Sequence, residues 1–401
     1  MKEKYDILII GGGIVGLSIG IEIKEMKPEL SIVICEKEVN GTIHASGRNS
    51  GVIHAGFYYT PESLKAKLCR NGNSLLKTFC KKNEIPFNEI GKVVVTKEES
   101  ECHRIELLAE RAVANGVDIE LLDEKELRNF EPEARTVNKF LWSPSTSVAD
   151  PELVHRFLLN KYLSLGGKFK NNLKIKLLYK NNEVLVDNPN ISASYIVNSA
   201  GVGSVRIARD LGIARQYKLI PFKGTYIGST DMSKYLRRLV YPVPHPINPF
   251  LGVHFTKTLS GQVKIGPTAI PVLGSEKYRS IDFATPSEIL ETFSGITSIL
   301  KGESHDVPEI LKSEIPKLFR HSLIKEASIL VPRAKDFSDW SKLKSGIRAQ
   351  LVNIESGKLE QDFVIENISN STHVLNMVSP GWTSSLSFAK YVYENFLSRN
   401  F

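Results

Sequence analysis

Tyr5-Asp6-Ile7-Leu8-Ile9-Ile10-Gly11-Gly12-Gly13-Ile14-Val15-Gly16 opens the chain. The apolar run before the glycines is short and rich in isoleucine, the pattern of a strand buried on both faces. Past the glycines, Leu17, Ile21 and Ile23 lie along a helix that ends near Pro28. A second apolar run, Ser31-Ile32-Val33-Ile34-Cys35, closes on Glu36. Strand, Gly-x-Gly-x-x-Gly turn, helix, strand and acid within about 30 residues is the order of a dinucleotide-binding unit. Gly11 allows the tight turn, Gly13 lets a pyrophosphate approach the backbone, and Gly16 lets the helix pack closely on the sheet. Ile14 and Val15 begin the helix, where unpaired N–H groups suit phosphate. Glu36 is placed to accept hydrogen bonds from an adenosine ribose, and Lys37 follows it. A glutamate there, with no arginine beside it, argues against a 2′-phosphate.

The next segment decides between a nicotinamide and a flavin dinucleotide. His44-Ala45-Ser46-Gly47-Arg48-Asn49-Ser50-Gly51-Val52-Ile53-His54-Ala55-Gly56-Phe57-Tyr58-Tyr59 is rich in small and hydrogen-bonding residues and has almost no hydrophobic period. A long cofactor lying across a loop needs such a segment; a nicotinamide enzyme runs straight into its next helix and strand.

This stretch, followed by Ser63-Leu64-Lys65-Ala66, resembles the flavin-binding segment of the FAD-dependent D-amino-acid oxidase superfamily. Within it, the closest likeness is to the L-2-hydroxyglutarate dehydrogenase branch. Further matching pieces are Pro221-Phe222-Lys223-Gly224, Tyr241-Pro242-Val243-Pro244, Pro249-Phe250-Leu251-Gly252-Val253-His254-Phe255-Thr256 and Gly346-Ile347-Arg348-Ala349-Gln350. The resemblance implies an α/β and α+β fold. A Rossmann-like FAD-binding domain of the glutathione-reductase-like kind is then interleaved with an antiparallel-sheet substrate domain. The cofactor domain is expected from 1–85, 146–216 and 345–401, and the substrate domain from 86–145 and 217–344 with a helical insert near 275–330.

Composition sets the outer limits. The 401 residues suffice for two to three folding units. A hydrophobic content of 42% and a charged content of 24% exclude a disordered or fibrous chain. The net charge of +8 permits an anionic substrate or a membrane surface, but basic and acidic residues interleave, which argues against nucleic acid. Cys35, Cys69, Cys80 and Cys102 form no CxxC pair, so neither a metal site nor a disulfide framework is expected, and a reducing compartment fits. The uncharged run 7–21 is too short to span a bilayer and lacks a cleavage site. A cytoplasmic protein is expected, with a peripheral place on the inner face of the membrane as the alternative.

Along the rest of the chain, 60–84 reads as a helix with Leu64, Leu68, Leu75, Leu76 and Phe79 on one face. A strand is expected at 91–96 and a charged helix at 98–115. Asp150 caps a helix that Pro151 begins. Strands follow at 174–179, 183–186 and 195–198, the last ending in Ser199-Ala200-Gly201. Residues 217–273 read as a separate antiparallel sheet with prolines at 242, 244, 246 and 249. Residues 285–330 are helical, with Ile310, Leu311, Ile315, Leu318, Phe319 and Leu323 as a stripe packed on the sheet. Lys312, Lys317, Arg320 and Lys325 flank it, so a membrane-facing patch is the rival reading. A strand at 373–377 feeds Ser379-Pro380-Gly381-Trp382-Thr383-Ser384-Ser385 and a final helix.

Oxidising a 2-hydroxy acid requires a cation for the carboxylate, a base near the hydroxyl and donors for the charge of the reduced flavin. Arg348 sits in an apolar context that demands a bidentate anion; by resemblance it holds the substrate carboxylate. His54 and His254 are the base candidates, with His54 preferred. Lys223, Lys257 and Tyr241 are candidates for the second carboxylate, and Tyr59 stands beyond His54 in the same loop. Ala45, Ser46, Arg48, Asn49 and Ser50 should meet the cofactor phosphates and flavin edge. Ile175, Ala200 and Gly201 add contacts, and Pro380, Gly381, Thr383, Ser384 and Ser385 open a helix whose N–H groups suit an anionic ring. The expected reaction is FAD-dependent oxidation of L-2-hydroxyglutarate to 2-oxoglutarate, with electrons passing to a quinone or oxygen. An amino-acid or glycine oxidase is the alternative, ahead of a non-catalytic flavin-binding or nucleic-acid-binding protein.

Overall fold

Strand β1 (Glu3–Ile10) buries Ile7, Leu8 and Ile9 completely, and β2 (Ile32–Cys35) is buried along its whole length. Burying each large aliphatic side chain contributes about 1.5–3 kcal/mol. Helix α1 (Ile14–Met26) joins the two strands, which pair in parallel with Ile7 opposite Ile32. The computed structural model describes residues 2–245, 251–274, 276, 278, 284–301 and 314–401.

The two strands sit in a six-stranded sheet ordered Val364–Ile368, Ser371–Asn376, Ile191–Asn198, β1, β2, Lys168–Lys170. Every junction is parallel except the one between the first two strands. Helices Leu64–Lys82, Pro151–Ser164 and Gly381–Val392 cover it with α1. The expected caps are present: Asp150 accepts from the Leu153 N–H at 2.9 Å, and Ser63 from the Ala66 N–H at 3.1 Å. Leu75 is exposed on its helix while Leu76 is fully buried. Adjacent helical positions diverge by about 100°, so both could not face the core.

The second large sheet has eight strands, in the order Ser341–Lys342, Ile227–Ser229, Val263–Gly266, His254–Lys257, Leu239–Pro242, Lys92–Val95, Lys139–Ser143, Glu120–Asp123. It is the expected antiparallel sheet, with one parallel junction where Leu239–Pro242 runs beside Lys92–Val95. That junction joins segments distant in sequence, so no hairpin imposes the antiparallel sense. Tyr217–Gly224 leaves this sheet altogether. It pairs with Gly346–Asn353 over its full length, Phe222 opposite Arg348, in a four-stranded sheet.

The insert contains helices Pro286–Lys301 and Arg320–Leu330 and a 3-10 turn Ile315–Leu318. Ile315, Leu318 and Phe319 are exposed, contrary to the stripe expected to pack inward, and of its described residues Leu323 alone is buried. Pro316 and the tighter turn break the helical period. Lys317 is turned inward, onto Glu314 and Glu326. Pro246, Pro249, Ile310, Leu311 and Lys312 lie outside the described residues.

Candidate active site

The glycine turn closes tightly on its neighbours. Gly11 has φ +103°, and a Cβ there would stand 2.6 Å from the Ser199 carbonyl oxygen. One at Gly16 would stand 2.0 Å from the Gly11 carbonyl oxygen, so α1 can rest on the turn only because residue 16 lacks a side chain. Gly13 caps α1 without a side-chain bond; the Ile14 N–H is received by Ser46 Oγ at 2.9 Å. Glu36 is buried, taking the Gly12 N–H at 2.8 Å on one oxygen and the Glu38 N–H at 2.9 Å on the other. His155 supports the turn from below, its Nε2 2.8 Å from the Gly12 carbonyl. A carbonyl only accepts, so that nitrogen carries the proton.

A cavity of about 970 Å³ runs from this turn into the middle of the molecule. Gly11, Gly13, Ile14, Val15, Glu36 and Lys37 line one end. Ala45, Ser46, Arg48, Asn49, Ser50, Ile175, Ala200 and Gly201 line its length, and His54, Arg348, Pro380, Gly381 and Thr383 line the far end. Gly16 lies behind the turn, as its packing role requires. Ser384 and Ser385 are fully buried in the body of the helix and do not line the cavity. Arg48 donates to the Ile43 carbonyl (2.7 Å) and the Ser345 carbonyl (3.2 Å) while stacking on Tyr278. Asn49 bonds Ala45, Ser46 and Gly51, so it shapes the loop that it lines. Lys37 pairs with Glu38 and Glu276. His44 meets the same two carboxylates; this is the one group of metal-ligand spacing among the described residues, and ion pairs already hold it.

An elongated dinucleotide fits this arrangement. The glycine turn leaves the backbone bare where a pyrophosphate must approach, and Glu36 stands at the end of β2. The cavity is continuous from there to Arg348.

At the far end, the His54 N–H donates to Thr383 Oγ1 at 3.1 Å, and its carbonyl accepts from Asn73 at 3.0 Å. The backbone at His54 is therefore clamped between two helices. His254 is buried, with Nδ1 2.8 Å from the Gly252 carbonyl and its ring stacked 3.9 Å from Tyr241. Burial, reinforced by Lys92, pushes both imidazoles down to about 3, and Arg348 adds to the effect on His254. Both are therefore uncharged at neutral pH. Tyr226 lines the cavity beside Arg348.

The lysines lie elsewhere. Lys257 Nζ donates to the Ser233 and Leu236 carbonyls at 2.8 and 2.9 Å, away from the cavity. Side chains alternate along a strand, so Lys257 shares the Phe255 face, while His254 and Thr256 share the other. Lys223 donates to the Tyr278 carbonyl at 2.7 Å and registers with Ile347, on the face opposite Arg348. Tyr241 is fully buried behind His254, and Tyr59 meets Ser379; neither lines the cavity. The sequence reading passed over Lys92, Tyr226 and His155. Lys92 carried a signal, as a lone charge opening the otherwise apolar run Lys92-Val93-Val94-Val95.

The buried histidines have a consequence for stability. His373 is held near 4 and His155 is also lowered, both chiefly by burial. An unfolded histidine takes up its proton near pH ~6.5, whereas His373 stays neutral in the fold down to about 4 and His155 is shifted in the same direction. The contribution is therefore complete above the unfolded value and lost as pH falls, by about 1.4 kcal/mol per pH unit for His373, with His155 adding in the same sense. The melting temperature should drop steeply between about pH 7 and about pH 5; an unchanged value would contradict the buried neutral imidazoles.

The family model for FAD dependent oxidoreductases matches residues 6–395. The L-2-hydroxyglutarate dehydrogenase of Indibacter alkaliphilus is 37% identical over 98% of this chain and 99% of its own. The mitochondrial L-2-hydroxyglutarate dehydrogenase of Caenorhabditis briggsae is 35% identical over 99% and 94%, and the L-2-hydroxyglutarate dehydrogenase of Escherichia coli is 33% identical over 97% and 92%. Among solved structures, the FAD-bound L-alpha-glycerophosphate oxidase of Mycoplasma pneumoniae superposes with a TM-score of 0.76 at 21% identity, covering 99% of this chain and 95% of that one. Glycine oxidase from Geobacillus kaustophilus gives 0.73 at 16%, covering 99% and 95%. These two likenesses establish the fold. With the glycine turn, Glu36 and the long cavity in place, the match from end to end means that the chain belongs to the FAD-dependent oxidoreductase family, with FAD as its cofactor.

Proposed function

We propose that this protein oxidises L-2-hydroxyglutarate to 2-oxoglutarate. The observation that carries the reading is the cavity lining around Arg348, where the uncharged His54 stands beside it and the buried, uncharged His254 feels the Arg348 charge from behind. Full-length similarity to L-2-hydroxyglutarate dehydrogenases supports the choice of substrate.

The glycine turn and Glu36 hold the adenosine and phosphate part of FAD, and residues 45–50 hold its middle. Bound FAD supplies the hydride acceptor. Arg348 takes the C1 carboxylate with two parallel hydrogen bonds, which fixes the C2 hydrogen relative to the cavity. His54 takes the hydroxyl proton. Burial and the charge of Lys92 oppose its protonation. A bound carboxylate offsets that charge and restores basicity. Backbone N–H groups at the start of the helix Gly381–Val392 stabilise the negative charge that hydride transfer leaves on the cofactor.

The cofactor part corresponds to 1–85, 146–216 and 345–401, and the substrate part to 86–145 and 217–344. The six-stranded sheet supports this division, while the pairing of Gly346–Asn353 with Tyr217–Gly224 stitches the two parts together. Electrons leave to a quinone or to oxygen. No helix among the described residues is long and apolar enough to cross a membrane. Exposed Leu318 and Phe319, close in sequence to Arg320 and Lys325, suit peripheral contact with an anionic surface on the cytoplasmic side.

Steady-state assays with an artificial electron acceptor test the substrate choice. L-2-Hydroxyglutarate should exceed its D-enantiomer, L-lactate and glycine in kcat/KM by at least about 100-fold. A preference for glycine would overturn the reading in favour of an amine oxidase.

A further inference from the structure

Lys92 is a cation buried without an anion. It lies at the start of the strand Lys92–Val95 and is 0% exposed. Among the described residues its Nζ has no hydrogen-bond partner. Three rings surround that nitrogen, Tyr58 at 4.4 Å, Phe57 at 4.6 Å and Tyr241 at 4.9 Å to the centroids. Ring faces attract an ammonium, but they replace only part of the hydration it loses. Burial accordingly pushes the amine down to about 7.

Its neighbours make the position informative. Lys92 and Val94 share a strand face. Val94 registers with Tyr241, which stacks on His254. The field of Lys92 acts on both His54 and His254, and that of Arg348 acts on His254 from the four-stranded sheet. Cations from two different sheets thus act on the uncharged His254, and one of them, Lys92, on the uncharged His54 as well. No carboxylate is among the charged groups acting on His54, His254 or Lys92. Lys92 is therefore a buried cation on which no anionic side chain acts among the described residues. Lys257 and Lys223, the other lysines considered for a second carboxylate, are occupied by backbone carbonyls.

We propose that Lys92 is the counter-charge for the distal carboxylate of a dicarboxylate substrate, so that Arg348 and Lys92 together select a diacid over a monoacid. The ring cage is the resting place of the unliganded ammonium. Nζ does not line the cavity, and the flexible four-carbon stem lets it swing out toward a carboxylate past His54. The inference rests on the substrate reading above and adds the residue that discriminates between acids of different charge.

The test uses the FAD-loaded protein and two non-reacting acids, glutarate and butyrate, with binding followed by the change in flavin absorbance. Lys92→Met removes the charge and leaves an apolar stem that suits the ring cage. Glutarate affinity should fall by about 100-fold in this variant, with butyrate affinity unchanged within about twofold. Equal losses for both acids, or no loss for glutarate, would overturn the proposal.

A second measurement needs no variant. Burial keeps Cys69, Tyr58, Tyr59 and Tyr241 protonated through pH 9, and His54 and His254 are already neutral. Lys65, held near 8 by burial, also titrates in this range but does not line the cavity. Lys92 is the lysine whose charge acts on His54 and His254, so the glutarate-to-butyrate affinity ratio should fall from about pH 7 to about pH 9, by up to about tenfold per unit. A flat ratio would overturn the proposal. Both arms measure binding, so failure of the wild-type protein to oxidise L-2-hydroxyglutarate would sink the substrate reading and still leave Lys92 decided.

Discussion

Replacing Arg348 with methionine should lower kcat/KM for L-2-hydroxyglutarate by about 1,000-fold while the flavin stays bound. Arg348 lies in the middle of Gly346–Asn353, held from Tyr217 to Gly224 by an unbroken antiparallel ladder, so its backbone does not depend on the side chain. Removing one partner of a desolvated charge pair costs about 2–5 kcal/mol, because the other charge is left without compensation. Loss of the bidentate grip also frees the substrate to rotate, which adds to the barrier through orientation. Lysine should recover only part of the loss, since an ammonium offers no planar fork. The check is steady-state kinetics alongside the flavin content of each purified variant. Wild-type kcat/KM in Arg348→Met would remove this residue from the reaction.

The second large effect concerns the cofactor. Gly16→Ala should yield protein that purifies without flavin and binds added FAD at least about 100-fold more weakly. The new Cβ would stand 2.0 Å from the Gly11 carbonyl oxygen, and that oxygen belongs to backbone already wedged against Ser199. Neither atom is the end of a flexible side chain, so α1 itself must move. Overpacking of this kind costs about 1–3 kcal/mol, and more where only backbone can give. The shift falls on the helix start and turn that face the phosphates, so binding should suffer more than folding. A yellow Gly16→Ala protein with wild-type FAD affinity would contradict this account of the turn.

These two sites were legible in the sequence for different reasons. The β1-α1-β2 unit could be read because its glycines are required by local sterics, and the acid closing β2 lies within the same short segment. The cap at Asp150 was readable for the same reason. The loop 44–59 was read by resemblance, and the structure puts Ala45 to Ser50 and His54 along one cavity. What escaped depends on register between distant strands. Lys257 looked as good as any lysine until strand parity turned it away from His254, and Lys92 was passed over although parity turns it toward Tyr241. The parallel junction of Leu239–Pro242 with Lys92–Val95 joins segments far apart in the chain, so no turn chemistry announced it. Ile315, Leu318 and Phe319 misled because Pro316 interrupts the helical period on which the stripe was counted.

The central claim is that the cavity running from the glycine turn to Arg348 oxidises a five-carbon hydroxy diacid at its own flavin. Anaerobic single-turnover mixing tests it most directly, because no electron acceptor takes part. Excess L-2-hydroxyglutarate should bleach the oxidised flavin completely and release one 2-oxoglutarate per FAD. A flavin that stays oxidised with L-2-hydroxyglutarate, yet bleaches with glycine or with a monocarboxylic hydroxy acid, would contradict it.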